Sequence, residues 1–256
     1  MSYAAELLGI RNYGWKPSLP DARDIQAFAT PPAPLAVELP DEFSLRDEMP
    51  GVYDQGQLGS CTANAIAGAL QYANIKAGHD FGVPSRLFIY YCERLREGSV
   101  TQDAGAYGRD GFASLRKTGA PPETVWPYVI ERFADKPSDE AYADAGANRI
   151  KHYTHARTSA LEVKLLVADH KPVAFGMSVP QCFEGEACMT TGIMPEFTKG
   201  ESFIGGHEML IIGWKPGYFE VRNSWGPNVM DAGHVWIPET FLFGGYASDF
   251  RAIQAI

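Results

Sequence analysis

Cys61 stands in the stretch DQGQLGSCTANAIAG, residues 54–68, where a glycine-rich turn runs into small helix-forming residues. A core position there would favour a branched aliphatic side chain, and a dithiol redox motif would bring a second cysteine within a few residues. Neither pattern is present. A sulfur in the first turn of a helix lies near unpaired backbone N–H groups and the positive end of the helix dipole, a setting that favours the nucleophilic thiolate. Ser60 is expected to cap that helix and Gly78 to suit its end. A thiolate also gains from a neighbouring imidazole. Of His79, His152, His155, His170, His207 and His234, only His207 has a fitting context. It follows Gly205 and Gly206 at the mouth of the apolar run GGHEMLIIGW, so backbone or substrate can come close while a strand fixes the ring. Asn223, in VRNSWG, ends another strand-like run and is placed to orient an imidazole, with Trp225 keeping water away.

Taken together, QGQLGSCTA, GGHEMLIIGW and VRNSWG resemble the three catalytic segments of papain-like cysteine peptidases, in the family's order of Cys, His and Asn. In that family the histidine and asparagine follow the cysteine by about 130 to 150 residues. Here they follow by 146 and 162, so Asn223 falls slightly beyond. The likeness runs from about Pro40 to the C-terminus. By position it implies that Cys61 is the nucleophile, His207 the general base and acid, and Asn223 its orienting partner. It further implies that the Gln55 amide and the Cys61 N–H hold the oxyanion. Gly105 and Ala106 fall where the family has a glycine pair that bonds the substrate backbone, and Ala106 departs from that pattern. Gly206 and Trp225 are expected to line the substrate site. Glu208 occupies a place usually held by a small residue of the pocket for the second residue before the scissile bond. A carboxylate there is expected either to favour a basic side chain or to turn to solvent. Thr62 replaces the tryptophan that usually follows the nucleophile, and Leu58 and Asp103 stand where many relatives carry a disulfide.

The elements that must position these residues divide by composition. Residues 51–145 read as mainly helical, with Cys61, Ala65, Ile66, Ala69, Leu70 and Ala73 along one stripe and a second helix in SRLFIYYCERLREG. Residues 146–256 read as strand-rich, after a helix in SALEVKLLVADH. The expected fold is α+β and papain-like, with a helical lobe, a β-rich lobe and the site in the cleft between them. Together these form a peptidase domain over 41–256. Residues 1–40 are dense in proline yet carry Trp15, Leu19, Ile25 and Phe28, so they read as an extended arm docked on a surface. By resemblance the arm is a prosegment, short as in a bacterial member of the family. GWKPSLPDARD is expected to cover the cleft as an intramolecular inhibitor; the alternative is an arm that braces the lobes.

Composition removes other functions. At 256 residues, with a net charge of −9, the chain lacks the basic face of a nucleic-acid binder. No run approaches the roughly 20 apolar residues of a membrane span. The start has no basic-then-apolar pattern of a secretory signal, which leaves the cytoplasm or export by another route. No metal-ligand spacing is present and no cofactor is expected. Cys182 and Cys188 flank FEGEA and either close a small disulfide loop or stay reduced, while Cys92 reads as a buried structural thiol. The expected activity is a monomeric cysteine peptidase, made latent and acting on a peptide or protein substrate through an acyl-enzyme. Two readings compete with it: acyl transfer to an amine with the same triad, and a peptide-binding module without catalysis.

Overall fold

The computed structural model describes residues 2–9, 11–30, 32 and 38–256. The part of the arm at residues 31 and 33–37 lies outside them. The helical lobe is built around α2 (Cys61–Lys76), with α3 (Arg86–Glu97), α4 (Gly108–Lys117) and α5 (Asp139–Ala145) beside it. Residues 61–70 are buried on every side, so the apolar stripe read from sequence is one face of a wholly enclosed helix. Small residues permit this. A Cβ at Gly68 would fall 2.6 Å from Arg222 and 3.6 Å from Leu210, both on strands of the other lobe. Gly78 follows the end of α2 at φ +74°, as a left-handed stop requires. Ser60 does not cap α2 as expected. Its hydroxyl instead pairs with Tyr128 Oη at 2.6 Å and with Asn64 Nδ2 at 3.1 Å, because tertiary partners compete for it.

The other lobe is a seven-stranded sheet, antiparallel throughout, in the order β4 (His152–His155), β9 (Ala247–Ala255), β5 (Val173–Pro180), β6 (Phe203–Lys215), β7 (Tyr218–Arg222), β8 (His234–Pro238). The short β2 (Phe43–Ser44) adds to β6, and α6 (Ala160–Ala168) precedes β5. β6 lies centrally and its register with β5 sets the site: Met177 pairs with His207 and Gly176 with Glu208. Successive residues of β6 face opposite ways, so His207 and Glu208 project from different faces of the sheet.

The arm is not extended throughout. It begins with α1 (Tyr3–Leu8), capped by Ser2 Oγ on the Ala5 N–H and holding Ala4 in the core. From Arg11 it runs extended, and β1 (Trp15–Lys16) pairs in parallel with β3 (Ala106–Tyr107) of the helical lobe. It then crosses to the sheet, where Ala27 donates to His155 O and His155 to Ile25 O. Cys182 and Cys188, the candidate disulfide, are both free thiols. Cys188 sits on the inward face of α7 (Glu186–Thr191), whereas the Cys182 thiol hydrogen-bonds Glu201.

Candidate active site

Cys61 is the first residue of α2 and is fully buried. The backbone N–H groups of Glu208 and Gly14 point at its sulfur, so the thiol from the helical lobe reaches the strand residue next to His207. On β6, His207 is also fully buried. Its Nε2 meets Asn223 Oδ1 at 2.8 Å, which leaves Nδ1 enclosed without a hydrogen-bond partner. Asn223 Oδ1 also accepts the Ser224 N–H at 2.7 Å, and its amide reaches Met230 Sδ at 3.5 Å, so the asparagine is itself fixed. The Trp225 ring stacks beside the imidazole, with centroids 5.3 Å apart and planes 30° from parallel.

Gln55 joins the two lobes. Its N–H donates to Ser224 O, its Oε1 accepts from Ser224 Oγ at 2.6 Å, and its Nε2 donates to Leu58 O at 2.9 Å. A side-chain amide has two N–H groups, so one donor is left over for a ligand. The turn before α2 is held by a residue that sequence reasoning treated only as half of a missing disulfide. Asp103 accepts from Gly59 N at 3.1 Å, Tyr90 Oη at 2.5 Å and Asn12 Nδ2 at 3.1 Å. Thr62, in the usual tryptophan's place, donates to the buried Glu93 at 2.8 Å. Glu93 had no signal in the sequence beyond a charge among apolar helix residues.

The arm fills the cleft. Arg11 pairs with Asp54 at 2.8 Å, and the Tyr13 hydroxyl donates to Glu184. Gly14 O accepts from Ala106 N at 2.7 Å, and Lys16 pairs with Glu97 at 2.9 Å. Gly14 is wedged between glycines: a Cβ on it would lie 1.7 Å from Gly59 O, and one on Gly105 would lie 2.1 Å from Gly14 O. Gly105, Ala106 and Gly206 thus all touch the arm. Glu208 is 2% exposed, so the reading that turned it to solvent is wrong: α4 covers it.

Burial under the arm inverts the expected electrostatics. It pushes the Cys61 thiol up to about 12, against the N–H groups of Glu208 and Gly14. It pushes the His207 imidazole down to about 4, against the Asn223 hydrogen bond. The thiolate expected at the helix mouth is therefore a neutral thiol beside a neutral ring in this closed form. Losing water outweighs the helix dipole, which is worth about 1 kcal/mol. Thiol and Nδ1 are not hydrogen-bonded to each other here. Catalytic contacts of this kind often tighten only when substrate arrives.

The family described as papain family cysteine protease matches residues 39–241. The chain belongs to that family. An uncharacterized peptidase C1-like protein of Acanthamoeba polyphaga mimivirus is 33% identical over 272 residues, covering 96% of this chain and 88% of its own. Xylellain, a cysteine protease from Xylella fastidiosa, superposes with a TM-score of 0.87 at 35% identity, over 96% of this chain and 97% of its own. The procathepsin B S9 of Trypanosoma congolense shares the fold at 14% identity, with a TM-score of 0.74 over 99% of this chain and 89% of its own. The α+β papain-like architecture read from the sequence is therefore the fold of this chain, and cysteine peptidase activity is the chemistry of the family it belongs to. Among the described residues no group of His, Cys, Asp and Glu is placed to hold a metal, and no helix is long and apolar enough to cross a membrane.

Proposed function

We propose that this chain is a cysteine endopeptidase held latent by its own N-terminal arm, with Cys61, His207, Asn223 and Gln55 as its catalytic groups. The observation that carries the reading is the 2.8 Å bond from His207 Nε2 to Asn223 Oδ1. It fixes the ring so that Nδ1, the atom free to take a proton from Cys61, stays unengaged. Once the arm leaves, water returns, the thiol proton passes to Nδ1, and the thiolate attacks a peptide carbonyl. The spare Gln55 amide hydrogen and the Cys61 N–H receive the oxyanion, each such donor being worth about 3 kcal/mol. His207 protonates the departing amine, then activates the water that releases the acyl group.

Latency is supported by what the arm offers the sulfur. It presents the Gly14 N–H, while the Gly14 carbonyl is turned to Ala106 N. A nucleophile needs a carbonyl carbon with its oxygen on the donors, so the arm occupies the site without offering that bond. Contacts to both lobes also let the arm brace the fold, and the two roles are compatible.

The test is labelling by a thiol-directed peptide epoxide under reducing conditions, with peptide cleavage mapped by mass spectrometry. Label and cleavage should both vanish in Cys61→Ser. Acyl transfer to added amines in preference to water would move the reading to a transamidase. Unlabelled Cys61 after removal of the arm would overturn it.

A further inference from the structure

Gln55 is carried on residues 51–55, a strap whose carbonyls are held by partners distant in the chain. Tyr53 O accepts from the Gly226 N–H at 2.9 Å, and Gln55 O from the Tyr128 hydroxyl at 2.9 Å. Asp54 pairs in antiparallel fashion with Trp225, so the strap lies along the residues that follow Asn223. Two arginines complete the attachment. Asp54 O accepts from Arg86 Nη1 at 3.1 Å, and Gly51 O from Arg222 Nη2 at 2.5 Å.

Both guanidiniums also meet the Tyr53 ring, Arg222 at 4.3 Å from its centroid and Arg86 at 4.7 Å. The negative face of an aromatic ring attracts each of them. Arg86 lies over Tyr128 as well, at 4.1 Å, and so fixes the ring whose hydroxyl holds Gln55 O. The two arginines differ in charge balance. Arg86 is paired with Glu123 at 2.6 Å. Arg222 is 2% exposed and meets a carbonyl and an uncharged ring in place of an acid, while its Nε has no partner. Burial and the nearby Arg86 both push it below the ordinary arginine value. A Cβ at Gly68 would fall 2.6 Å from its Nη1, so α2 is left bare where this side chain passes. A buried cation without an acid is a costly way to fill space.

What these contacts provide is position. Bonds to Ser224 and Leu58 fix the rotation of the Gln55 amide, but its place depends on the strap behind it. A catalytic group misplaced by about 1 Å can cost about a hundredfold in rate. We propose that Arg222 and Arg86 are positioning residues of the oxyanion site: through Tyr53 and the strap carbonyls they hold Gln55 where its spare N–H meets the oxyanion. The inference rests on the peptidase reading, with Gln55 as a donor.

The test is a double-mutant cycle in the full-length chain, brought to constant activity under reducing conditions. Lysine keeps the charge of arginine and loses its planar fork. Arg222→Lys should lower kcat for peptide cleavage about tenfold and leave KM within about twofold, because the oxyanion contact is made only in the transition state. In the Gln55→Ala background the same substitution should lower kcat by less than about twofold, since the donor it positions is gone. Alkylation of Cys61 by iodoacetamide needs no oxyanion and should stay near the wild-type rate, whereas loss of the folded site would change it. Arg86→Lys should repeat the pattern. An equal loss of kcat with and without the Gln55 side chain, or no loss in either arginine variant, overturns the inference. If the lysine variants do not fold, the same cycle with Tyr53→Leu, which removes the ring shared by both arginines, decides the matter by the same criterion. Loss of kcat in Gln55→Ala without any in Arg222→Lys defeats this inference alone; a wild-type chain that cleaves no peptide defeats the peptidase reading with it.

Discussion

The Tyr13 ring stands edge-on to His207, with centroids 5.8 Å apart and planes at 77°. A side chain of the arm thereby covers the imidazole directly, while Trp225 covers it from another side. The arm's hold on the cleft can be weighed one residue at a time.

Trp15 is 9% exposed and its indole lies against Gly176 and Gly206. Truncating a buried tryptophan costs about 3–5 kcal/mol. If most of that loss falls on the closed form, Trp15→Ala should raise activity of the intact chain by about a hundredfold or more. The initial rate of peptide cleavage, measured before any processing of the arm, checks this. An unchanged rate would assign the arm to bracing alone.

Gly14→Ala should release the arm by a different route. Its added Cβ would collide with the backbone oxygen of Gly59, which belongs to the turn held by Asp103 and has little room to retreat. Epoxide labelling of Cys61 in the intact variant is expected to approach the rate of the chain without its arm. Labelling as slow as wild type would mean that the arm shifts without leaving.

Alkylation of Cys61 reports the inverted electrostatics. In the closed chain the thiol, pushed up to about 12, should react slowly until strongly alkaline pH. Opening by Trp15→Ala restores water and the imidazole, and the reactivity midpoint should move down by several pH values. His207 adds an acid effect. Its buried value lies below the ordinary 6.5, so its contribution to closure is full above pH 6.5 and is lost as pH falls towards about 4. Protease nicking of the arm should accelerate through that window, and less so in His207→Gln.

Glu93 carries the opposite sign. Burial raises its carboxyl, so the folded chain keeps a proton that the unfolded chain gives up. Its contribution is full below the ordinary carboxyl value and is lost as pH rises above it, by about 1.4 kcal/mol for each pH unit until the raised value is reached. Glu93→Gln should therefore gain stability over wild type at pH 7.5 relative to pH 4.5. Urea midpoints at the two pH values give the comparison, and equal differences would mean that Glu93 is ionised in the folded chain.

Asn223→Ala should lower kcat by about ten- to a hundredfold. It frees the ring and leaves His207 Nε2 buried without a partner, at about 1–3 kcal/mol. Gln55→Ala should cost about a hundredfold in kcat through the lost oxyanion donor. Single-turnover acylation separates both from slow opening of the arm.

What the sequence determined by itself was local or ordered along the chain. Small residues after Gly59 gave the buried α2, apolar runs after residue 150 gave the strands, and three short segments gave the family, because each is set by neighbours within a few positions. What only the tertiary structure decided was set by residues distant in the chain. Asp103 holds Gly59 across 44 positions, and Ser224 takes the Gln55 amide oxygen across 169. Tyr13 covers His207, and Trp15 fills the space over Gly176 and Gly206. The protonation of Cys61 belongs here too. Its position at a helix start favours the thiolate, but desolvation depends on everything packed around the sulfur, and the arm that excludes water lies some 47 residues earlier.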